Sequence, residues 1–328
     1  MKMPENAIEI KGLRKSFGKK EVLKGIDLIV KKGQIVAILG PNGAGKTTTI
    51  NILSTLMKSD AGDIKVNGYD VNNEPSEVRS SIGLTGQFAA VDEYLSGEEN
   101  LNLIGGLYHM KKSEYEPITK RLIEDFDLVE SAKTPVKSYS GGMKRKIDLA
   151  MSLIASPPII FLDEPTTGLD PRSRNTMWAL IKKLAKDGTT ILLTTQYMDE
   201  ADNLADHIIV IDNGVVISEG TALQLKSEVG DDRVDIVLGQ EGDFEATLKL
   251  LENESVTSNM DDRTISISAK EGVKKLQTIL SILENTDLDV ETVTLRKPTL
   301  DDVFLSLTGH VAEEAAEEEP KKKSKGKK

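Results

Sequence analysis

Cysteine is absent from the 328-residue chain, so disulfides, thiolate zinc sites and cysteine nucleophiles are all excluded. That absence suits a reducing compartment. Histidine is nearly as scarce, and His109, His207 and His310 stand too far apart to match any metal-ligand spacing. They read as structural or exposed. Aromatic residues make up 4% of the chain, and its single tryptophan, Trp178, sits in an apolar helical stretch that reads as core. Positive charge is in deficit: 42 Lys and Arg against 53 Asp and Glu give a net charge of −11. A general nucleic-acid binder needs a basic face, so that class is disfavoured. Apolar runs such as "QIVAILG" and "PPIIFL" fall far short of the about 20 residues that cross a bilayer. The opening "MKMPENAIEI" has no apolar signal-peptide core, so any membrane role is expected to fall to a partner. What remains is an ordinary globular composition with room for one large core and a smaller one.

The first two-thirds read as α/β. Short apolar strands at Ile35–Leu39, Ile159–Leu162, Thr190–Thr194 and His207–Ile211 alternate with helical stretches, which implies a mainly parallel, buried sheet. Residues 7–33 hold strand-like stretches broken by glycine, an antiparallel appendage, and residues 92–155 look like a helical insert. After about residue 225 the pattern changes. Alternation at Val234, Ile236 and Leu238, a helix over Phe244–Leu251, strands at Ser255–Met260 and Thr264–Ser268, a helix over Lys274–Leu283 and a strand at Leu288–Leu295 make a βαββαβ order. The expected division is a nucleotide-binding domain over 1–225, a small ferredoxin-like α+β domain over 226–310, and a disordered charged tail over 311–328. A final helix is expected to start near Thr299, with Leu300, Val303, Phe304 and Leu307 as a buried face.

"GPNGAGKTTTI" follows the strand Ile35–Leu39 and leads into a helix, the P-loop arrangement over Gly40, Pro41, Asn42, Gly43, Ala44, Gly45, Lys46, Thr47 and Thr48. Glycines let backbone N–H groups turn inward around phosphate oxygens, and the helix start adds its positive dipole end. Lys46 would reach the β- and γ-phosphates of a nucleotide and Thr47 would bind Mg²⁺. Kinases, GTPases, helicases and transport ATPases share this loop. "PPIIFLDEP" narrows the field: an apolar strand ends in Asp163, suited to a Mg²⁺ contact, and Glu164, which would project to the other side and accept a proton from water. No Asn-Lys-x-Asp guanine-reading motif occurs.

In "YSGGMKRKIDLAMSLIASPP", Ser140, Gly141 and Gly142 open a helix, a second place where phosphate can bind end-on. One chain does not need two γ-phosphate cradles for one ATP. A homodimer, in which this helix caps nucleotide held by the partner, resolves the surplus.

Here the sequence resembles the ATP-binding subunits of ABC transporters. "SGGMKRK" is similar to their signature motif, departing from it at Tyr139 and Met143. The resemblance implies that Phe17 stacks on adenine, that Gln87 joins the Mg²⁺ site to the permease contact, and that Asp170 lies in the loop crossing the dimer interface. A narrower likeness, to the daunorubicin-resistance type of drug-efflux ATPase, rests on "VDEYLSGEENL", "TTQYMDEADNLAD" and "LRKPTLDDVFLSLTGH".

These readings imply a cytoplasmic ATPase on the inner face of the cell membrane. It would use Mg-ATP, dimerise and drive a separate transmembrane permease that exports a hydrophobic compound; lipid, glycoconjugate and ion substrates stay open. It would touch lipid only through the permease, or through the basic end of its tail. A non-transport ATPase of the same type is disfavoured by the single nucleotide module and the missing coiled-coil insert. A nucleotide-gated regulator is opposed by Glu164 and kept open by Gln196. The resemblance expects a γ-phosphate-contacting histidine at position 196, where the daunorubicin-resistance type often carries glutamine. An amide can donate to phosphate but cannot carry a proton near neutral pH.

Overall fold

A computed structural model describes residues 6–308 apart from 88, 229, 231, 241, 252, 253, 255, 285 and 287. The expected tail over 311–328, with its basic end, lies outside the described residues, as does His310. Fourteen strands among these residues form three sheets. An antiparallel sheet, ordered β2-β1-β4-β5, uses β1 (Asn6–Phe17), β2 (Lys20–Lys31), β4 (Ala61–Val66) and β5 (Tyr69–Asp70). The central sheet, ordered β10-β9-β3-β8-β7-β6, uses β3 (Ile35–Leu39), β6 (Ile82–Thr85), β7 (Ile159–Asp163), β8 (Thr190–Thr195), β9 (His207–Asp212) and β10 (Val215–Gly220). All its pairings are parallel except β9 with β10.

Every residue of β3, β7 and β8 is buried, because apolar layers cover both faces of the sheet. Alternation assigns Ile35, Ala37 and Leu39 to one layer and Val36 and Ile38 to the other. The second layer packs under the antiparallel sheet and α1 (Lys46–Leu53). Short α2 (Pro75–Ser80) precedes β6. The first layer meets α3 (Gly97–Leu107), α4 (Lys112–Asp125), α5 (Gly141–Ser152), α6 (Pro171–Lys186), α7 (Met198–Leu204) and α8 (Ala222–Glu228). Between residues 92 and 155 helices dominate, with one isolated bridge between Ser96 and Pro135.

The third sheet, ordered β12-β13-β11-β14, is antiparallel throughout and uses β11 (Asp232–Leu238), β12 (Val256–Asn259), β13 (Thr264–Ala269) and β14 (Val290–Arg296). With α9 (Gly242–Leu250) and α10 (Val273–Leu283) it encloses its own core around Val234, Ile236, Ile265 and Ile267. That strand order is ferredoxin-like. The last helix, α11 (Leu300–Thr308), leaves this unit: Leu300, Val303 and Phe304 pack with Ala201, Leu204 and Leu225 in the first layer of the large core. Leu307 is 40% exposed, so the buried face is narrower than its spacing suggests. Among the described residues no helix is long and apolar enough to cross a membrane.

Candidate functional site

Register builds the site. Leu39 pairs with Thr195, Asp163 with Thr194, and Thr85 with Leu162, so β3, β8, β7 and β6 end side by side. Gly40, Gln196, Glu164 and Gln87 follow at that carboxyl edge, where open α/β sheets bind ligands.

The loop after β3 carries positive φ at Gly43 and Gly45, values of 83° and 110° that side chains rarely adopt. A Cβ on Gly40 would stand 2.1 Å from the Ile211 carbonyl, and one on Gly45 2.5 Å from Leu23. These two glycines are therefore required by packing onto β9 and β2. Gly43 and Gly141 have open space beside them, the arrangement that lets a ligand approach backbone. Pro41 accepts from Lys46 and from Ala44 N, Ala44 is buried, Asn42 is exposed, and Thr48 is half-buried.

Lys46 is buried; its Nζ donates to the Gly40 carbonyl at 2.7 Å and the Pro41 carbonyl at 3.1 Å, 3.5 Å from Glu164 Oε1. Burial pulls its pKa down, against the opposing pull of Glu164 and Asp163. Thr47 donates to Asp163 Oδ1 at 3.2 Å, and Thr194 donates to the same oxygen at 2.5 Å. Hard oxygen donors of this kind fit Mg²⁺, which takes one or two protein oxygens and keeps water and phosphate for the rest.

Glu164 departs from the sequence expectation. Strand alternation would send it to the opposite side from Asp163, but its φ is +49°, so the chain turns into the left-handed region. Its N–H donates to the Thr194 carbonyl and hydroxyl, both at 3.1 Å, and its carboxylate accepts from Thr167 at 3.2 Å. Both carboxylates thus stand within reach of the Lys46 loop. Gln196 is half-buried at the end of β8, and its amide has no hydrogen-bond partner among the described residues.

The remaining expected residues make no side-chain bond to this cluster. Phe17 ends β1, 48% exposed, with Lys15 Nζ 5.8 Å from its ring. Gln87 is exposed. Ser140 caps α5, accepting from Met143 N at 3.3 Å, and Asp170 caps α6, accepting from Ser173. The Ser173 hydroxyl, and after it the Ser173 N–H, holds the Asp170 pKa below its ordinary value. Ser140, Gly142 and Asp170 line one groove of about 750 Å³. A Cβ on Gly142 would lie 2.7 Å from Ser173 Oγ, so the second glycine of the motif lets α5 approach α6.

Sequence reasoning missed two buried polar residues. Arg145, 6% exposed, bonds the chain on both sides of Glu164, and Glu200 accepts from Thr166 and Trp178. Trp178, expected in the core, is half-buried and packs against the first layer, with its indole N–H as a polar handle.

The model of the ABC transporter family matches residues 23–167, and that of the C-terminal domain of DrrA1-3-like ATP-binding proteins matches residues 220–308. A daunorubicin resistance ATP-binding protein of Streptomyces coeruleorubidus is 48% identical across 94% of this chain and 97% of its own length. The chain belongs to the ABC transporter ATP-binding family. A linearmycin resistance ATP-binding protein of Bacillus subtilis is 35% identical over 92% of this chain and 98% of its own. Among solved structures, an ATP-binding subunit of an ABC transporter is 30% identical, with a TM-score of 0.61 over 68% of this chain and 92% of its own. A dimeric cassette in a post-hydrolysis state, bound to ADP and Pi, is 28% identical, with a TM-score of 0.59 over 65% of this chain and 98% of its own. The ABC assignment and the α/β fold expected from the motifs both stand.

Proposed function

We propose that the chain is the ATP-hydrolysing subunit of an exporter and drives a separate membrane permease that expels a hydrophobic, drug-like compound. The observation that carries this reading is the convergence of Lys46, Thr47, Asp163 and Glu164 at one sheet edge. The resistance-type module over 220–308 supports export in particular. The proposed division is an ATPase domain over 1–225 and a small domain over 226–310 that lends its last helix to the larger core.

In this reading the Gly40–Thr48 backbone cradles the phosphates, Lys46 supplies positive charge where negative charge develops, and Phe17 stacks on adenine. Thr47, Asp163 and Gln87 hold Mg²⁺, which when bound neutralises phosphate charge. Glu164 accepts the proton of the attacking water, and Gln196 donates an amide hydrogen bond to the γ-phosphate. Ser140, Gly141 and Gly142 face nucleotide held by a second copy, with Asp170 beside them in the same groove. The solved dimeric cassette supports dimerisation, and the groove shared by Ser140, Gly142 and Asp170 supports this face as the one that meets the second copy. The permease docks on the groove lined by Leu56, Leu84, Ile104 and Tyr108, of which Leu56 and Tyr108 are exposed. A permease in the cell membrane would hold its ATPase subunit on the cytoplasmic side, and that is the location we propose.

The test is Glu164→Gln, with and without Mg-ATP. It should bind nucleotide, hydrolyse it very slowly and run as a dimer on gel filtration. Hydrolysis at the parent rate would remove Glu164 from the role.

A further inference from the structure

Three consecutive cations, Lys144, Arg145 and Lys146, lie on α5 just after the signature residues. Lys144 pairs with Glu93 and Lys146 with Asp127. Arg145 alone turns inward. Its Nε donates to the Pro165 carbonyl at 2.9 Å, and its Nη2 to the carbonyls of Asp163 at 3.1 Å and Glu164 at 3.0 Å. Its Nη1 donates to the carbonyls of Gly86 at 2.6 Å and Gln87 at 3.3 Å. A guanidinium has five N–H donors, so all are accounted for by backbone carbonyls of two segments.

Those carbonyls lie at or beyond the ends of β7 and β6, where the ladder stops supplying partners. The segment held on one side is the turn that puts Glu164 at φ +49°. A non-glycine residue persists there only when its surroundings over-determine it. Arg145 fixes the carbonyls of 163, 164 and 165, and Thr194 fixes the Glu164 N–H. Asp148 completes the frame, with Oδ2 3.5 Å from Arg145 Nη1 and Oδ1 accepting from Ala90 N at 2.9 Å.

We infer that Arg145 is a positioning residue for hydrolysis. It holds the Glu164 backbone in the turn that aims the carboxylate at the Lys46 loop, and ties that turn to the Gln87 segment and to the signature helix. This rests on Glu164 being the general base. A lysine in its place keeps the charge but has three donors on one atom and cannot span five carbonyls.

The experiment uses the full chain and a fluorescent ATP analogue. Arg145→Lys should bind Mg-nucleotide within about threefold of the parent, with unchanged KM and a kcat lower by roughly tenfold to a hundredfold. Arg145→Gln is read in the same way if the lysine variant does not accumulate folded. The decisive arm is a double-mutant cycle in single-turnover hydrolysis. On a Glu164→Gln background, Arg145→Lys should change the residual rate little, because the group it positions is already gone. A residue that merely supports the fold would lower both backgrounds by the same factor. Parent kcat in Arg145→Lys, or equal factors on both backgrounds, would overturn the proposal. A Glu164→Gln protein that hydrolyses at the parent rate would instead overturn the base assignment.

Discussion

Glu200 offers a perturbation whose size and sign both follow from its surroundings. The residue is 0% exposed, and its Oε1 accepts from the Thr166 hydroxyl at 2.7 Å and the Trp178 indole at 3.2 Å. Burial pushes its pKa up, only partly opposed by Thr195, Thr166 and Trp178, and Asp199 adds to the rise. Glu200→Leu would strand the buried Thr166 hydroxyl at about 1–3 kcal/mol and the half-buried Trp178 indole at less, roughly 2–4 kcal/mol in all. Glu200→Gln keeps an acceptor for both donors and cannot ionise. The unfolded chain loses the Glu200 proton near pH 4.3, while the native chain retains it to higher pH. Over that window the native state binds more protons, so stability falls as pH rises, by up to about 1.4 kcal/mol per pH unit. Glu200→Gln removes that slope, and its advantage over the parent should grow upward from about pH 4.3. Urea unfolding at a series of pH values, followed by fluorescence of the sole tryptophan, Trp178, reports on this core directly. Parallel pH curves for parent and Glu200→Gln, or equal stability of the Leu and Gln variants, would refute the reasoning.

Gln196→Ala should slow steady-state hydrolysis roughly tenfold to a hundredfold, the loss of one hydrogen bond to a charged phosphate. Gln196→His should keep substantial activity and add a pH inflection near about 6.5. Both rates are read with the permease present, and equality of Gln196→Ala with the parent would leave the amide a bystander. Ser140→Arg should retain nucleotide binding to the monomer and abolish dimer-dependent hydrolysis, a pairing that equilibrium binding and ATPase assays check separately. In the small domain, burial would raise the Asp302 pKa, but bonds from Arg296 and Thr299 hold it at about 2. That contribution is present above the unfolded value of about 3.9 and fades as pH falls towards about 2, so Asp302→Asn should cost on the order of 1–2 kcal/mol at pH 7 in urea unfolding.

The carboxyl edge of the central sheet was legible because three short strands carry apolar runs and each run stops at a chemically distinct residue. Gly40, the Asp163–Glu164 pair and Gln196 all mark strand ends in the sequence itself. The ferredoxin-like order was legible from period-2 patterning in β11 and β13. The turn at Glu164 was not, because alternation assumes that the strand continues. Arg145 was hidden inside a run of cations, which ordinarily marks a solvated face; only tertiary packing selects the middle one for burial. The buried face of α11 was legible as a face, but helical spacing carries no record of what it packs against.

The docking of α11 has a consequence for synthesis. Chain order places Leu225 and Phe304 far apart, yet both belong to one apolar layer, and the whole third sheet lies between them. Roughly 80 residues must leave the ribosome after Leu225 before Phe304 can close that layer, about 4–16 s at 5–20 residues per second. During that interval Ala201, Leu204 and Leu225 lack their α11 cover, while the segments that the proposed function assigns to phosphate, around Lys46, Glu164 and Gln196, have already been made. Nucleotide can therefore meet its cradle before the core beneath it is sealed, and the small domain sets the length of that delay.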